Sequence, residues 1–165
     1  MEYVGLFAAN AFMLWALLYA GLFMHEMGHA IVESQYSHVL KVDVVVGHKA
    51  FAKHFLNFWK WRFFFGHGMA GIAIRYSDKS KRFMLPRNVR VWQAMIASAA
   101  GPAASLITVL GYLWVASIVS VFFMLPFLLS AGIHLYGGVY VSLFSGKPGT
   151  DGHTISKGIK ALRSV

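Results

Sequence analysis

Cysteine is absent from the 165-residue sequence. Its absence excludes a disulfide framework and any zinc site built from cysteine thiolates. Acidic residues are also scarce, since only six Asp and Glu stand against fifteen Lys and Arg. A bound metal ion would therefore have to take its protein ligands from histidine and from this small set of carboxylates.

Positive charge is missing from two long parts of the chain. No Lys or Arg precedes Lys41 or lies between Val91 and Gly146, whereas eleven fall within Lys41–Arg90 and four within Lys147–Arg163. These two parts without Lys or Arg hold apolar runs longer than the 18 residues that indicate a transmembrane helix. This distribution is typical of cytoplasmic loops that flank membrane spans. It argues against a soluble basic protein, so we expect the lipid bilayer, and no nucleic acid, as a partner.

The apolar runs predict a mainly α-helical membrane protein of one domain, residues 1–165, with a core of three transmembrane helices. We place the spans at about residues 5–32, 91–124 and 127–144, with Pro126 in the turn between the last two. A short C-terminal helix should follow from about 152 to 162. The basic loops predict an N-terminus outside and a C-terminus in the cytoplasm. The N-terminus lacks the basic region of a signal peptide, so we expect the first span to be retained.

A small β-structured insertion is predicted on the cytoplasmic side, at about residues 38–76. Residues 39–46 alternate in part, which favours a strand with one apolar face. Residues 62–65 and 69–76, separated by two glycines, favour a hairpin. The aromatic and basic segment 48–61 fits either an interfacial helix or a further strand. The basic residues 77–88 are typical of a loop near anionic lipid.

The end of the first span carries the sequence His25-Glu26-Met27-Gly28-His29. Two histidines four residues apart lie on one face of a helix, so both imidazoles can bind one zinc ion. In this HExxH pattern the glutamate acts as the general base. Ionisable residues are costly inside a membrane helix, which makes a functional role the default interpretation.

A catalytic zinc ion requires a third protein ligand and keeps one position for water. Asp151 is the only acid after Asp78 and should lie at the cytoplasmic end of the third span, on the side of the histidine pair. His153 is the competing candidate, and Asp151 could instead cap the C-terminal helix. His134 lies within the third span and could assist the chemistry or simply bond to a neighbouring helix.

Three motifs occur in an order that resembles the site-2 protease family of intramembrane zinc metalloproteases. They are His25–Ala30 in a membrane helix, Ala100-Gly101-Pro102 in the next span, and Pro148–Gly152 after the third. The family often has an asparagine a few residues after the Gly-Pro pair, where this chain has Ser105. Its usual Leu-Asp-Gly-Gly sequence is reduced here to Thr150-Asp151-Gly152-His153. The chain would be a minimal member of the family.

The resemblance implies an enzyme that cleaves a peptide bond in or near the transmembrane segment of another membrane protein, within a bacterial cell membrane. It implies one zinc ion per chain, held by His25, His29 and Asp151, with Glu26 as the catalytic base. It also implies a substrate-binding role for Gly101, Pro102 and Ser105, and a β insertion that positions an extended substrate. Two alternatives stay open: a non-catalytic zinc-binding membrane adaptor, and a metal transporter. The substrate and the oligomeric state do not follow from the sequence.

Overall fold

A computed structural model describes residues 2–48 and 52–164. Within them the chain is mainly helical, with a small sheet inserted after the first helix. The helices are α1 (Glu2–Ser34), α2 (Lys79–Met84), α3 (Arg87–Ile118), α4 (Val121–His134), α5 (Ser142–Phe144) and α6 (Asp151–Arg163). A π-helical segment, Leu135–Val141, joins α4 to α5. In these residues, three helical stretches are long and apolar enough to cross a membrane: Tyr3–Ser34, Arg87–Ile118 and Val121–Phe144.

The predicted boundary between the second and third spans was wrong. Helix α3 ends at Ile118, and the chain turns at Val119 and Ser120 before α4 begins. Pro126 lies inside α4 rather than in the turn. Proline is tolerated there at the loss of one backbone hydrogen bond. The apolar composition is continuous across the turn, so only the small polar Ser120 marks the break.

The sheet contains strands β1 (Val39–Val46), β2 (Lys53–Phe58), β3 (Trp61–Phe65) and β4 (Gly71–Ser77) in the spatial order β2-β3-β1-β4. Strand β1 pairs in parallel with β3 and antiparallel with β4. Strands β2 and β3 form an antiparallel hairpin across a short turn at Trp59 and Lys60. Of the two alternatives for residues 48–61, the structure therefore has the strand, and residues 49–51 lie outside the described part.

The predicted hairpin of residues 62–65 with 69–76 was also wrong, although both strands exist. Strand β1 lies between them, and the connection crosses the end of β1, where Gly66 donates a hydrogen bond to the Val46 carbonyl. The most apolar strand takes the centre, where both edges are paired. Strand β1 is buried on both faces from Val42 to Val46, whereas one apolar face was predicted. The buried Asp43 is neutralised by Arg62, which donates two hydrogen bonds to its carboxylate at 2.6 and 2.9 Å.

The sheet packs along the second half of α1. Its buried centre consists of Ala30 on α1 and the inward valines of β1, with aromatic side chains of α1 and β3 around them. The Tyr19 hydroxyl donates to the carbonyls of Val46 and Gly66, which fixes the sheet beside α1. The predicted loop 77–88 contains a further helix, α2, because Asp78 accepts hydrogen bonds from the amides of Ser80 and Lys81 and caps it.

Candidate metal centre

Three side chains converge where α1, α3 and α6 meet. His25 and His29 lie one turn apart on α1, with their Nε2 atoms 3.2 Å from each other. Asp151, the first residue of α6, directs its carboxylate oxygens to within 3.6 Å of His25 Nε2 and 3.5 Å of His29 Nε2. Among the described residues these three form the one group of at least three ligand atoms that could hold a metal ion.

Hydrogen bonds on the far side of each imidazole orient the two Nε2 atoms. His29 Nδ1 lies 2.7 Å from the carbonyl oxygen of Ala97. Since a carbonyl can only accept, Nδ1 carries a proton, and in the neutral ring Nε2 is then the nitrogen that can bind a metal ion. His25 Nδ1 lies 2.8 Å from the Ser105 hydroxyl, which can accept in the same way. Both histidines thus have the outer partner that metal-binding histidines usually have.

The spacing of the three groups fits a small divalent cation. Two imidazole nitrogens without protons and one carboxylate repel one another unless a positive charge lies between them. Tetrahedral zinc ligands at 2.0–2.1 Å from the ion lie about 3.3 Å apart, close to the separations here. Two imidazoles and a carboxylate are also one of the donor sets found in catalytic zinc sites. The residues therefore fit the metal that the sequence predicts.

Asp151 is held as a carboxylate by its neighbours. Burial raises the pKa of its carboxyl group, but interactions with His25, His29 and the Ser142 hydroxyl outweigh burial, and the pKa lies below its usual value. Ser142 donates a hydrogen bond to Oδ2. Thr150, and not Asp151, occupies the N-cap position of α6, so the alternative role of Asp151 as the helix cap is wrong.

Glycine at three positions permits the close approach of these helices. A side chain at Gly28, between the two histidines, would collide with the Ala100 carbonyl of α3. A side chain at Gly101 would strike the rings of His29 and His25. Gly152, after Asp151, lies against the carbonyl of Leu143, so the glycine of the Asp-Gly pair lets α6 start directly beside α5.

Glu26 faces the sheet side of the site. Its side chain is buried, with 6% of its surface exposed, and lies against Gly71 and the backbone of Ala73 in β4. A cavity of about 530 Å³ lies in front of it, lined by the three candidate ligands, the first residues of β4 and the ion pair between Arg75 and Glu33. The carboxylate of Glu26 therefore shares a polar cavity with the candidate metal ligands.

The other predicted residues lie outside the group of three candidate ligands, although Gly101 packs against the two imidazoles and His134 lines a second cavity beside His25. His153 is not part of it, since a position two residues after Asp151 lies on another side of the helix. His134 is buried against Gly21, with its ring 6.1 Å from that of Tyr112. Gly101 and Pro102 are buried and line neither of the cavities beside the site. Their substrate-binding role stays a prediction.

Sequence reasoning missed several contributors to the site. Ser105 is fully buried, bonds to His25 and lines a second cavity beside the site, and its predicted role in substrate binding stays a prediction. Ser142, the Ala97 carbonyl and Gly71 were not singled out. Ser142 and Gly71 belong to no motif, and the sequence does not indicate which backbone carbonyl will accept a hydrogen bond from a histidine. The polar Ser105 within an apolar span was the one available signal.

Comparison with known proteins agrees with this geometry. The family model of Peptidase family M50 matches residues 13–162, a stretch that contains all three candidate ligands and Glu26. A search of curated protein sequences found no match. The family consists of metalloproteases that are in general zinc-dependent. The chain belongs to peptidase family M50, the site-2 protease family.

Proposed function

We propose that this protein is an intramembrane zinc metalloprotease that hydrolyses a peptide bond in or near the transmembrane segment of another membrane protein. The observation that carries the proposal is the convergence of His25, His29 and Asp151 beside Glu26, at one end of a helix that is long and apolar enough to span a membrane. Such a cluster is costly to bury without a function.

The proposed division of roles follows from the contacts. His25, His29 and Asp151 would hold one zinc ion, with Ser105, Ala97 and Ser142 as their outer partners. When bound, zinc supplies Lewis acidity and lowers the pKa of water to about 7. Glu26 accepts the proton of the attacking water at its carboxylate and returns it to the nitrogen of the leaving amine.

The sheet is proposed to hold the substrate chain in extended form. Strand β4 is at the edge of the sheet, and its residues Gly71, Ile72 and Ala73 line the cavity that contains Glu26. An unpaired strand edge can bind an extended peptide as an additional strand. A transmembrane helix would have to unwind to bind there, so residues that weaken helices should favour cleavage.

The charge distribution supports a proposed topology. Thirteen of the fifteen Lys and Arg lie outside the candidate spans, and the other two, Arg87 and Arg90, lie in the first turn of α3. The loop before α3 and the C-terminal segment carry these charges, so we place both at the cytoplasmic face, with the N-terminus outside. The candidate metal centre then lies towards the cytoplasm.

The substitution Glu26→Gln tests the proposal. It removes the base and keeps the shape, so cleavage should fall by about 10²- to 10⁴-fold while the zinc content stays unchanged. The assay follows labelled single-span peptides of about twenty apolar residues with Gly or Asn at the centre. Glu33→Gln, on the same helix and lining the same cavity, should retain most of the activity. Undiminished cleavage by Glu26→Gln would contradict the role of the base. A zinc-loaded wild type that cleaves no peptide would instead favour an adaptor or transporter.

A further inference from the structure

A second cavity lies on the other side of the candidate metal centre. Its volume is about 440 Å³, within the range of small-molecule binding sites. Leu18 and Leu22 of α1, Met69 before β4 and Ile133 of α4 supply its apolar walls, and the polar side chains of Ser105 and His134 also line it. Its surroundings differ from those of the polar cavity, which contains Glu33, Arg75 and Asp151.

The two cavities meet at the reacting groups. His25, Glu26, Gly71, Gly137 and Ser142 line both of them. A peptide bond placed beside Glu26 therefore has polar space on one side and apolar space on the other. The side chain of a residue next to that bond is the part of a substrate that would reach the apolar space.

Gly137 lies where the two cavities meet, and helix packing does not require a glycine at this position. A Cβ atom built on Gly137 meets no other atom within 4 Å, and its backbone does not have a positive φ. Its neighbour Gly138 is different, because a Cβ there would lie 2.6 Å from Ser105 Oγ. The space beside Gly137 is therefore not filled by a helix contact, and Gly137 lines both cavities.

We propose that the apolar cavity binds a large apolar side chain, such as Leu or Phe, of the substrate residue next to the cleaved bond, and that Gly137 keeps its entrance open. This inference rests on the proposed function and adds a specificity-determining position to it. Burial of such a side chain should strengthen binding by about 10- to 100-fold.

A pair of hydroxamates tests the inference without a known substrate. Acetohydroxamate and 3-phenylpropanohydroxamate chelate zinc through the same group and differ only in the apolar side chain. We would measure the Kd of each for zinc-loaded protein in detergent by calorimetry, and compare the ratio of the two values between variants. Because both compounds bind the same metal, differences in metal loading cancel in the ratio of the two Kd values. The ratio therefore reports the contribution of the apolar side chain to binding.

The wild type should bind the phenyl compound at least about tenfold more tightly. Gly137→Leu should reduce this preference to near unity, and Gly137→Ala should reduce it in part, while both keep their affinity for acetohydroxamate. Gly132→Leu is the matched control, since Gly132 lies on α4, has the same free space and lines neither cavity.

Equal affinities in the wild type, or a preference that survives in Gly137→Leu, would overturn the inference and leave the proposed function intact. Failure of acetohydroxamate to bind the zinc-loaded wild type would instead contradict the proposed function, because an open metal position would then be missing. The two failures are thus distinguishable in one experiment.

Discussion

The two sides of α1 at the histidine pair are built in different ways. Towards α3, the contacts are so close that Gly28 and Gly101 have no room for a side chain, and each imidazole has a fixed partner. Towards the sheet, Glu26 faces the edge strand β4 and two cavities. The α3 side is therefore suited to hold ligands, and the sheet side to admit a substrate and water.

This difference predicts that substitutions on the two sides have separable effects. Changes on the α3 side should act on metal affinity first, since they move the imidazoles. Changes on the sheet side should act on turnover at constant metal content, since they move Glu26 or the substrate.

Gly101→Val should have the largest effect on the α3 side. Its side chain would occupy the position of the His29 ring, so the affinity for zinc should fall by at least about 100-fold, or ~3 kcal/mol. Competition with a chromophoric chelator measures this affinity. Gly111→Val on the same helix, where a Cβ meets nothing within 4 Å, should bind zinc as the wild type does. Equal zinc affinities of Gly101→Val and Gly111→Val would contradict the claim that the α3 side of the site holds the metal ligands in place.

Gly71→Ala should show the opposite pattern. The new Cβ would lie 2.7 Å from Glu26 Oε1, and the flexible carboxylate would have to move away. A displacement of this kind can reduce turnover by about 100-fold, while zinc content should remain at the wild-type level. Peptide cleavage and metal analysis on the same sample give both values, with Gly132→Ala as the control. Loss of zinc from Gly71→Ala would show that the two sides are not independent.

Ser105→Ala should have the smallest effect of the three. It removes the partner of His25 Nδ1 without introducing a new atom, so zinc affinity should fall by about tenfold. Ser117→Ala, at the exposed end of the same helix, should leave the affinity unchanged. An unchanged affinity in Ser105→Ala would assign Ser105 to packing or to substrate contact, as first predicted from its place after Gly101-Pro102.

Much of this arrangement follows from local sequence. The spacing of His25 and His29, the apolar runs and the alternating residues 39–46 each act over a few residues, so they predicted the helices, the first strand and the histidine pair. The C-terminal helix was predicted within one residue at each end, because Thr150 and Asp151 mark a helix start.

The errors concern interactions between distant segments. Strand order depends on which strand is most completely buried. The buried strand β1 therefore lies between β3 and β4, which were predicted to pair with each other as a hairpin. The two cavities depend on the meeting of α1, α3, β4 and the π-helical segment, which no local pattern encodes. The sequence favoured Asp151 but left His153 as a competitor, and only the orientation of α6, packed through Gly152 and Gly158 against neighbouring helices, brings Asp151 to the histidines.

The central claim is that His25, His29 and Asp151 hold one zinc ion, and the metal content of the detergent-purified protein tests it most directly. The wild type and His153→Ala should each carry about one zinc per chain, while Asp151→Ala should lose most of it, because two imidazoles alone form an incomplete site. A wild type without zinc, or a loss caused by His153→Ala and not by Asp151→Ala, would contradict the account.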